Sequence, residues 1–166
     1  CLMQRFPSRP LPDFKCLRRA LFSDITIDSK LMFFDLGRDA LMFGIEALEI
    51  KPGGTILIPA YMCNSTIEPL RNSGYEIIFF DVKDDYSFDL NMVESLISSS
   101  HVDAILSVHY FGFPANIQDL VHLCKKYNVK VVEDCAHSFL TKIYGKSVGL
   151  FGDVAIFSMR KTLAVP

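Results

Sequence analysis

The chain has 166 residues, half of them hydrophobic, and a formal net charge of −2 at pH 7. This favours a globular domain with a substantial core, and the near balance of 17 basic and 19 acidic residues argues against nucleic acid or an anionic membrane as a partner. With no apolar stretch near the roughly 18 residues of a membrane span and no CxxC pair among five cysteines, we expect a reduced, cytoplasmic protein.

Residues 1–36 are predicted to form an N-terminal arm on a larger body. Prolines stand at positions 7, 10 and 12, and basic residues outnumber acidic ones before Lys30. The chain opens on Cys1 and closes on Pro166 soon after an apolar strand. We therefore expect it to be part of a longer protein.

From Gly37 onwards, amphipathic helices alternate with short apolar strands. Helices are predicted in RDALMFGIEALEI, NSTIEPLRNSG, NMVESLISSS and NIQDLVHLCKKYN, with Asn64 or Ser65 capping the second. Strands are predicted in TILIPA, YEIIFFDV, VDAILSVHY, VKVVEDCA and DVAIFS. This alternation predicts an α/β fold for residues 37–166, with three layers (α/β/α) and a mostly parallel sheet.

The residues that follow each strand are the candidate functional residues, because ligands of such sheets bind at the carboxyl ends of the strands. They are residues 59–63, 81, 109–112, 133–137 and 158–161. There is no GxGxxG or GxxxxGK[ST] motif, so neither a dinucleotide site nor a P-loop is predicted. No His/Cys spacing fits zinc and no GxSxG motif occurs, so neither a metal site nor a serine nucleophile of that type is predicted.

Two adjacent acids end the strand VKVVEDCA. Asp134 could hold a cationic nitrogen of a ligand through a charge-assisted hydrogen bond, or it could simply cap a turn. Glu133 should point to the opposite side of the strand and is interpreted as a structural partner. His109 and His137 could act as general bases, although histidines at strand ends more often make structural hydrogen bonds.

A Ser-x-x-Lys pair and a glycine before a helix complete the set. Lys161 follows Ser158 just after the last strand, and it is either a nucleophilic amine or a solvated surface lysine. Arg38 and Asp39 follow Gly37 at the start of the first helix, where free backbone amides can bind a phosphate. Pyridoxal phosphate (PLP) needs such a set, because its aldehyde requires a lysine, its ring nitrogen an acid and its phosphate a helix N-terminus.

In their order and amino-acid sequence, these motifs resemble those of the DegT/DnrJ/EryC1/StrS family of PLP-dependent aminotransferases, known for aminating keto sugars on nucleotide carriers. The resemblance spans about Gly37 to Leu163 in the segments GRDAL, IKPGGTILIPAYMCNST, GYEIIFFDVKDDYSFDL, ILSVHYFGFPANI, YNVKVVEDCAHSF and GDVAIFSMRKTL. It implies the large domain of a fold-type-I PLP-dependent transferase, here incomplete and without the family's small C-terminal domain.

The resemblance also implies roles for single residues. Lys161 would be the catalytic residue that binds the cofactor's aldehyde, Asp134 would pair with the pyridine nitrogen, and His137 would lie near the ring hydroxyl. The phosphate would be bound by Ser158 and by the backbone amides around Arg38 and Asp39.

The chain departs from the family pattern at two places. The aromatic residue that stacks on the cofactor ring falls at or near Cys63, so that Tyr61 or another residue would have to serve. The spacing between Ser158 and Lys161 is also shorter than the commoner family spacing, which bears on the role of the serine.

By resemblance, the activity is transfer of an amino group from an amino acid donor, glutamate, to a keto sugar linked to a nucleotide, for polysaccharide or related glycan biosynthesis. Family members are dimers whose sites the partner completes. We therefore expect a homodimer with small-molecule substrates, and we expect this chain alone to be inactive. Two alternatives stay open: another fold-type-I PLP enzyme with a non-sugar acceptor, and a non-catalytic α/β scaffold.

Overall fold

A computed structural model describes residues 31–162. The longer helices are α1 (Gly37–Ala47), α2 (Asn64–Asn72), α3 (Leu90–Ser99) and α4 (Ile117–Lys126). The strands are β1 (Thr55–Pro59), β2 (Glu76–Phe80), β3 (Ala104–Val108), β4 (Lys130–Asp134), β5 (Lys142–Ile143), β6 (Lys146–Ser147) and β7 (Val154–Ile156). A 3-10 turn, Tyr110–Gly112, follows β3, and a short helix α5, Met159–Thr162, follows β7. The predicted arm up to Lys30 lies outside the described residues and stays a prediction.

Five strands form one parallel sheet in the order β2-β1-β3-β4-β7. Its register aligns Val108 with Asp134, and Asp134 in turn with Ile156. Because these strands run in one direction, their carboxyl ends meet at a single edge of the sheet. The predicted α/β fold with a mostly parallel sheet is confirmed.

Each face of the sheet has its own hydrophobic core, which confirms the three predicted layers. On one face, helices α3 and α4 pack against Leu57, Ile105 and Val131. On the other face, α1 and α2 pack against a second set of strand residues, Ile56, Ile58, Leu106 and Val132. Successive side chains of a strand point to opposite faces, so these apolar runs supply both cores at roughly 1.5–3 kcal/mol per fully buried Leu or Ile. No helix of the described part is long and apolar enough to cross a membrane.

Helix α1 runs back along the sheet, with its first turn towards the carboxyl edge. Its C-terminal end leads through a short loop into the start of β1, and Tyr75 fixes that loop by donating its hydroxyl hydrogen to the Ile50 carbonyl (3.0 Å). Eleven helical residues extend about 16 Å, close to the length of a five-residue strand. Gly44 permits close packing here, since a Cβ at this position would lie 2.9 Å from Cγ1 of Val154.

Two local features differ from the sequence prediction. The predicted cap of α2 at Asn64 or Ser65 is wrong, because the helix already begins at Asn64 and its N-cap is Cys63, with no capping bond from the side chain. The sequence also gave no indication of the antiparallel hairpin of β5 and β6, whose two-residue strands are too short to show an alternating pattern.

Candidate functional site

The sheet order creates a switch point between β1 and β3, because the chain leaves β1 towards β2 and then returns to the other side of β1. Loops that leave the carboxyl ends at such a point diverge and open a crevice. Here the Tyr110 hydroxyl donates to the Tyr61 carbonyl oxygen (2.6 Å), and the centroids of the two rings lie 5.4 Å apart. Asp134 lies at the same edge, because it pairs with Val108, two residues before Tyr110. Burial raises the pKa of Tyr110, and the negative charge of Asp134 adds to that effect.

Lys161 and His137 lie together at the same edge. The Lys161 Nζ is 3.1 Å from the His137 Nε2, which joins the first turn of α5 to the loop after β4. Among the described residues, His137 is the hydrogen-bond partner of this amine. The Lys161 side chain is exposed, so the amine can reach a ligand above the edge.

Asp134 ends β4 on the face covered by α1 and α2. Its Oδ1 accepts a hydrogen bond from the Ala136 N–H (2.9 Å), which makes it a turn acid, as one of the two sequence interpretations expects. Its Oδ2 has no hydrogen-bond partner within residues 31–162. The half-buried carboxylate can therefore cap its own turn and still accept a hydrogen bond from a ligand.

The predicted phosphate seat lies in the first turn of α1. The Asp39 N–H already donates to the Leu36 carbonyl (3.1 Å), whereas the Gly37 and Arg38 amides have no acceptor in the described part of the chain. Unpaired amides of this kind are normal in a first helical turn and can bind an anion. Ser158 lies half-buried between β7 and α5.

Glu133 and His109 form a buried polar network on the opposite face of the sheet. The Glu133 Oε2 lies 3.0 Å from the His109 Nε2 and accepts from the Gly149 N–H (2.8 Å). Its Oε1 accepts from the amides of Phe151 (2.7 Å) and Gly152 (2.6 Å). The interpretation of Glu133 as a structural partner is confirmed, since its carboxylate ties β4 to β3 and to the loop before β7.

Hydrogen bonding fixes the protonation of this pair. The His109 Nδ1 accepts from the Ala115 N–H (3.1 Å), so the ring proton is on Nε2 and points at Glu133. Burial by itself would raise the pKa of Glu133, but the hydrogen bonds from His109 and from the loop amides outweigh it and lower the pKa. A neutral histidine thus donates to an ionised carboxylate, and His109 is structural.

Cys135 lies near this pair, and the three side chains offer ligand atoms within 4.8 Å of one another. They do not make a suitable metal site, because both ring nitrogens of His109 and both oxygens of Glu133 are already hydrogen-bonded. Burial and the neighbouring carboxylates also raise the pKa of Cys135, so its thiol stays protonated.

Cys63, where the resemblance leads one to expect an aromatic side chain, lies in the crevice as an exposed thiol. Its Sγ is 3.2 Å from both the Ser65 Oγ and the Thr66 Oγ1. These hydrogen bonds lower the pKa of Cys63, and the charge of Lys161 acts in the same direction. Tyr61, the alternative for the ring-stacking position, is 61 % exposed at the mouth of the crevice.

An aromatic cluster of Tyr86, Phe111 and His137 lies at this edge, and the sequence analysis gave Phe111 only a place among the strand-end candidates. The rings of Phe111 and His137 are stacked, with centroids 5.6 Å apart and planes 16° apart. The Tyr86 ring contacts the Phe111 ring edge-on, at a centroid distance of 5.4 Å. The HYFGF run after β3 could have drawn attention to Phe111, but its contact with His137 depends on the conformation of the turn.

Comparison with known proteins identifies the family. The model of the DegT/DnrJ/EryC1/StrS aminotransferase family matches residues 34–165. Over 74 % of its length, the chain is 37 % identical to the UDP-N-acetyl-3-dehydro-alpha-D-glucosamine 3-aminotransferase of Acidithiobacillus ferrooxidans. It is 32 % identical, over the same share, to the GDP-perosamine synthase of Escherichia coli O157:H7.

The solved structures agree on the fold. An aminotransferase of pseudoaminic acid biosynthesis from Helicobacter pylori superimposes with a TM-score of 0.75 at 24 % identity, over 87 % of this chain and 39 % of that one. The chain spans about a third of the length of the two curated relatives, 33 % and 34 %. On the family match and these likenesses together, the chain belongs to the DegT/DnrJ/EryC1/StrS aminotransferase family, with the large-domain fold of fold-type-I PLP-dependent transferases.

Proposed function

We propose that this chain carries the cofactor lysine of a PLP-dependent aminotransferase that transfers an amino group from an amino acid to a keto sugar linked to a nucleotide. The observation that carries the proposal is the contact between Lys161 and His137 beside the end of β4 (3.1 Å), in a chain of this family. The glutamate donor follows from the resemblance and belongs to the proposal.

The residues present fit pyridoxal phosphate. The chain offers an exposed amine at Lys161 and, within its described part, a carboxylate oxygen without a partner at Asp134 and unpaired amides at Gly37 and Arg38. Pyridoxal phosphate supplies an aldehyde that condenses with amines and a ring that withdraws electrons from the carbon attached to that amine. These residues supply the complementary groups, a nucleophile, an anion for the ring nitrogen and donors for the phosphate.

Each residue then has a chemical task. Asp134, through Oδ2, accepts the hydrogen of the ring nitrogen and keeps that nitrogen protonated. Lys161 would hold the cofactor through its Nζ, and the same amine, when free, would hold and move a proton beside the reacting carbon. His137 would orient that amine, and Ser158 and the Arg38 amide would bind the phosphate.

The acceptor class rests on the relatives. The two relatives named above are, by name, an aminotransferase of a UDP-linked sugar and a synthase of a GDP-linked amino sugar. A keto sugar on a nucleoside diphosphate is therefore the acceptor we propose. A homodimer in which the partner completes the site is part of the same proposal, as is a cytoplasmic location, which the free thiols of the three described cysteines support.

Reductive trapping tests the proposal. The protein is incubated with pyridoxal phosphate, reduced with borohydride and digested, and the modified peptide is identified by mass spectrometry. We expect a phosphopyridoxyl group on Lys161, and we expect Lys161→Arg to remove it while the exposed Lys51 and Lys83 stay unmodified in both proteins. A folded protein with no adduct on Lys161 would contradict the cofactor assignment and favour the scaffold alternative.

A second assay tests the acceptor. The protein that carries this chain is given glutamate and a panel of keto sugars on UDP, GDP or dTDP, and amino-sugar formation is followed by mass spectrometry. Amination of at least one nucleotide-linked keto sugar is expected. If Lys161 forms the adduct but only non-sugar carbonyl compounds are aminated, the cofactor assignment stands and the proposed sugar acceptor is wrong.

A further inference from the structure

We propose that Phe111 is a positioning residue that holds the His137 ring and, through it, the Lys161 amine. The inference rests on the proposed function, because it concerns the amine assigned there to the cofactor. Neither the family resemblance nor the motif analysis assigns a role to Phe111.

The contacts run in one line from an aromatic ring to the amine. Phe111 stacks on His137 with nearly parallel planes, 16° apart, at a centroid distance of 5.6 Å. The His137 Nε2 then meets the Lys161 Nζ at 3.1 Å. A stacked ring restricts rotation of the imidazole about its side-chain bonds, and that rotation decides whether Nε2 points at the amine.

The backbone of Phe111 supports a role other than packing. Its φ and ψ are 52° and 24°, in the left-handed region that bulky residues rarely occupy. Such a conformation is unfavourable for a bulky residue, and the side chain is 55 % exposed, so burial offsets little of its cost. A strained and exposed aromatic residue directed at a site residue is typical of functional sites rather than of cores.

The turn that carries Phe111 is held from both sides. The Phe113 N–H donates to the Tyr110 carbonyl (2.8 Å), and the Thr141 hydroxyl donates to the Gly112 carbonyl (2.9 Å). Tyr86 meets the Phe111 ring edge-on, with planes 62° apart. The ring is therefore placed by a rigid turn and a second aromatic residue, which makes it a suitable support for His137.

Lys161 needs such support because little else restrains it. Its side chain is exposed, and a lysine that becomes fixed loses more rotamer freedom than most other side chains. An amine already aimed at the carboxyl edge reacts faster with an aldehyde bound there, because part of this ordering precedes the reaction.

The experiment compares four single variants, Phe111→Leu, Phe111→Tyr, Phe111→Gly and the control Phe113→Leu. Phe113 is a similarly exposed aromatic residue of the same turn, and it contacts Tyr86 rather than His137. The first readout is the rate at which pyridoxal phosphate is trapped on Lys161 by borohydride. The second is the NMR shift of the His137 ring protons without cofactor, which a stacked ring moves upfield.

We expect Phe111→Leu to slow trapping on Lys161 about two- to tenfold, since a stacked pair contributes of order 0.5–1.5 kcal/mol and about 1.4 kcal/mol is a factor of ten. The His137 shift should move downfield in the same variant. Phe111→Tyr keeps a ring and should restore both readouts, and Phe113→Leu should leave both unchanged.

Phe111→Gly separates positioning from folding. Glycine relieves the backbone strain, so this variant should be at least as stable as Phe111→Leu to urea and yet be trapped at least as slowly. Equal trapping rates in wild type, Phe111→Leu and Phe111→Gly, with an unmoved His137 shift, would overturn the positioning role and leave the proposed function intact. Absence of any adduct on wild-type Lys161 would overturn both proposals.

Discussion

Glu133 and Asp134 are neighbours at the end of one strand, and they have opposite surroundings. Glu133 is fully buried and accepts hydrogen bonds from three loop amides as well as pairing with His109. Asp134 is half-buried and uses one oxygen for a local turn. A strand that ends in two acids can thus direct one to each face of the sheet. One stabilises the fold, and the other is available to a ligand.

The largest expected difference between the two acids is in stability. In Glu133→Gln, an amide NH₂ would face backbone N–H groups, so we expect the free energy of unfolding to fall by roughly 3 kcal/mol. The matched variant Asp134→Asn should change it by no more than about 0.5 kcal/mol. Urea unfolding measures both, and equal losses would remove the distinction between a structural and a ligand-binding acid.

Cys63 and Cys135 should also differ strongly, in the rate at which their thiols are alkylated. Cys63 is exposed with a lowered pKa, whereas Cys135 is buried with a raised one. We expect iodoacetamide to modify Cys63 at least roughly a hundredfold faster near neutral pH, because Cys135 must wait for an opening of the structure. Peptide mass spectrometry gives both rates, and Cys124, which is buried with a pKa raised to about 12, provides a second slow reference. Similar rates at Cys63 and Cys135 would contradict the open crevice.

A smaller effect is expected on cofactor affinity. Asp134→Asn replaces a charge-assisted hydrogen bond with a neutral one, so the affinity for pyridoxal phosphate should fall about tenfold. An absorbance titration measures it, and Glu76→Gln, at an exposed acid in the first position of β2 and therefore at the opposite edge of the sheet, serves as the control. If Asp134→Asn binds as tightly as the control, then Oδ2 does not accept from the ring nitrogen.

The smallest expected effect is a pH dependence of stability. The pKa of Glu133 in the folded protein lies below its ordinary value of 4.5, so its ionised form stabilises the fold fully above that pH and loses this contribution as the pH falls through the folded pKa. The difference in free energy of unfolding between wild type and Glu133→Gln should therefore narrow below about pH 4.5, by up to about 1.4 kcal/mol per pH unit. A difference that stays constant as the pH falls below 4.5 would contradict a lowered pKa of Glu133 in the folded protein.

The fold could be predicted from the sequence to the extent that periodicity carries information. The strands β1 and β3 are apolar runs buried on both faces, and α4 lies within the segment NIQDLVHLCKKYN in which the sequence predicts a helix. The hairpin of β5 and β6 could not be predicted, because each of its strands has only two residues and is too short to show an alternation of polar and apolar side chains. The cap of α2 was misplaced by one residue, because Asn64 and Ser65 have the usual capping side chains and Cys63 does not.

For the candidate site, the sequence names residues whose roles stay predictions, and it did not predict their contacts. Asp134, His137 and Lys161 follow strands, so that a sheet rule and a resemblance were enough to name them. The pairing of His109 with Glu133 depends on the register of β3 and β4, and the stacking of Phe111 on His137 depends on a left-handed residue. Neither the register of two strands nor a left-handed φ at a bulky residue can be predicted with the pattern rules that apply to a single sequence.

The location of Lys161 beyond β7 also orders events during synthesis. Ribosomes make Asp134 and His137 before Lys161, and β7 can pair only with a β4 that already exists. A nascent chain that ends before β7 therefore carries Asp134 and His137 but not Lys161. Under the proposed function, covalent capture of the cofactor cannot precede the synthesis of β7 and Lys161.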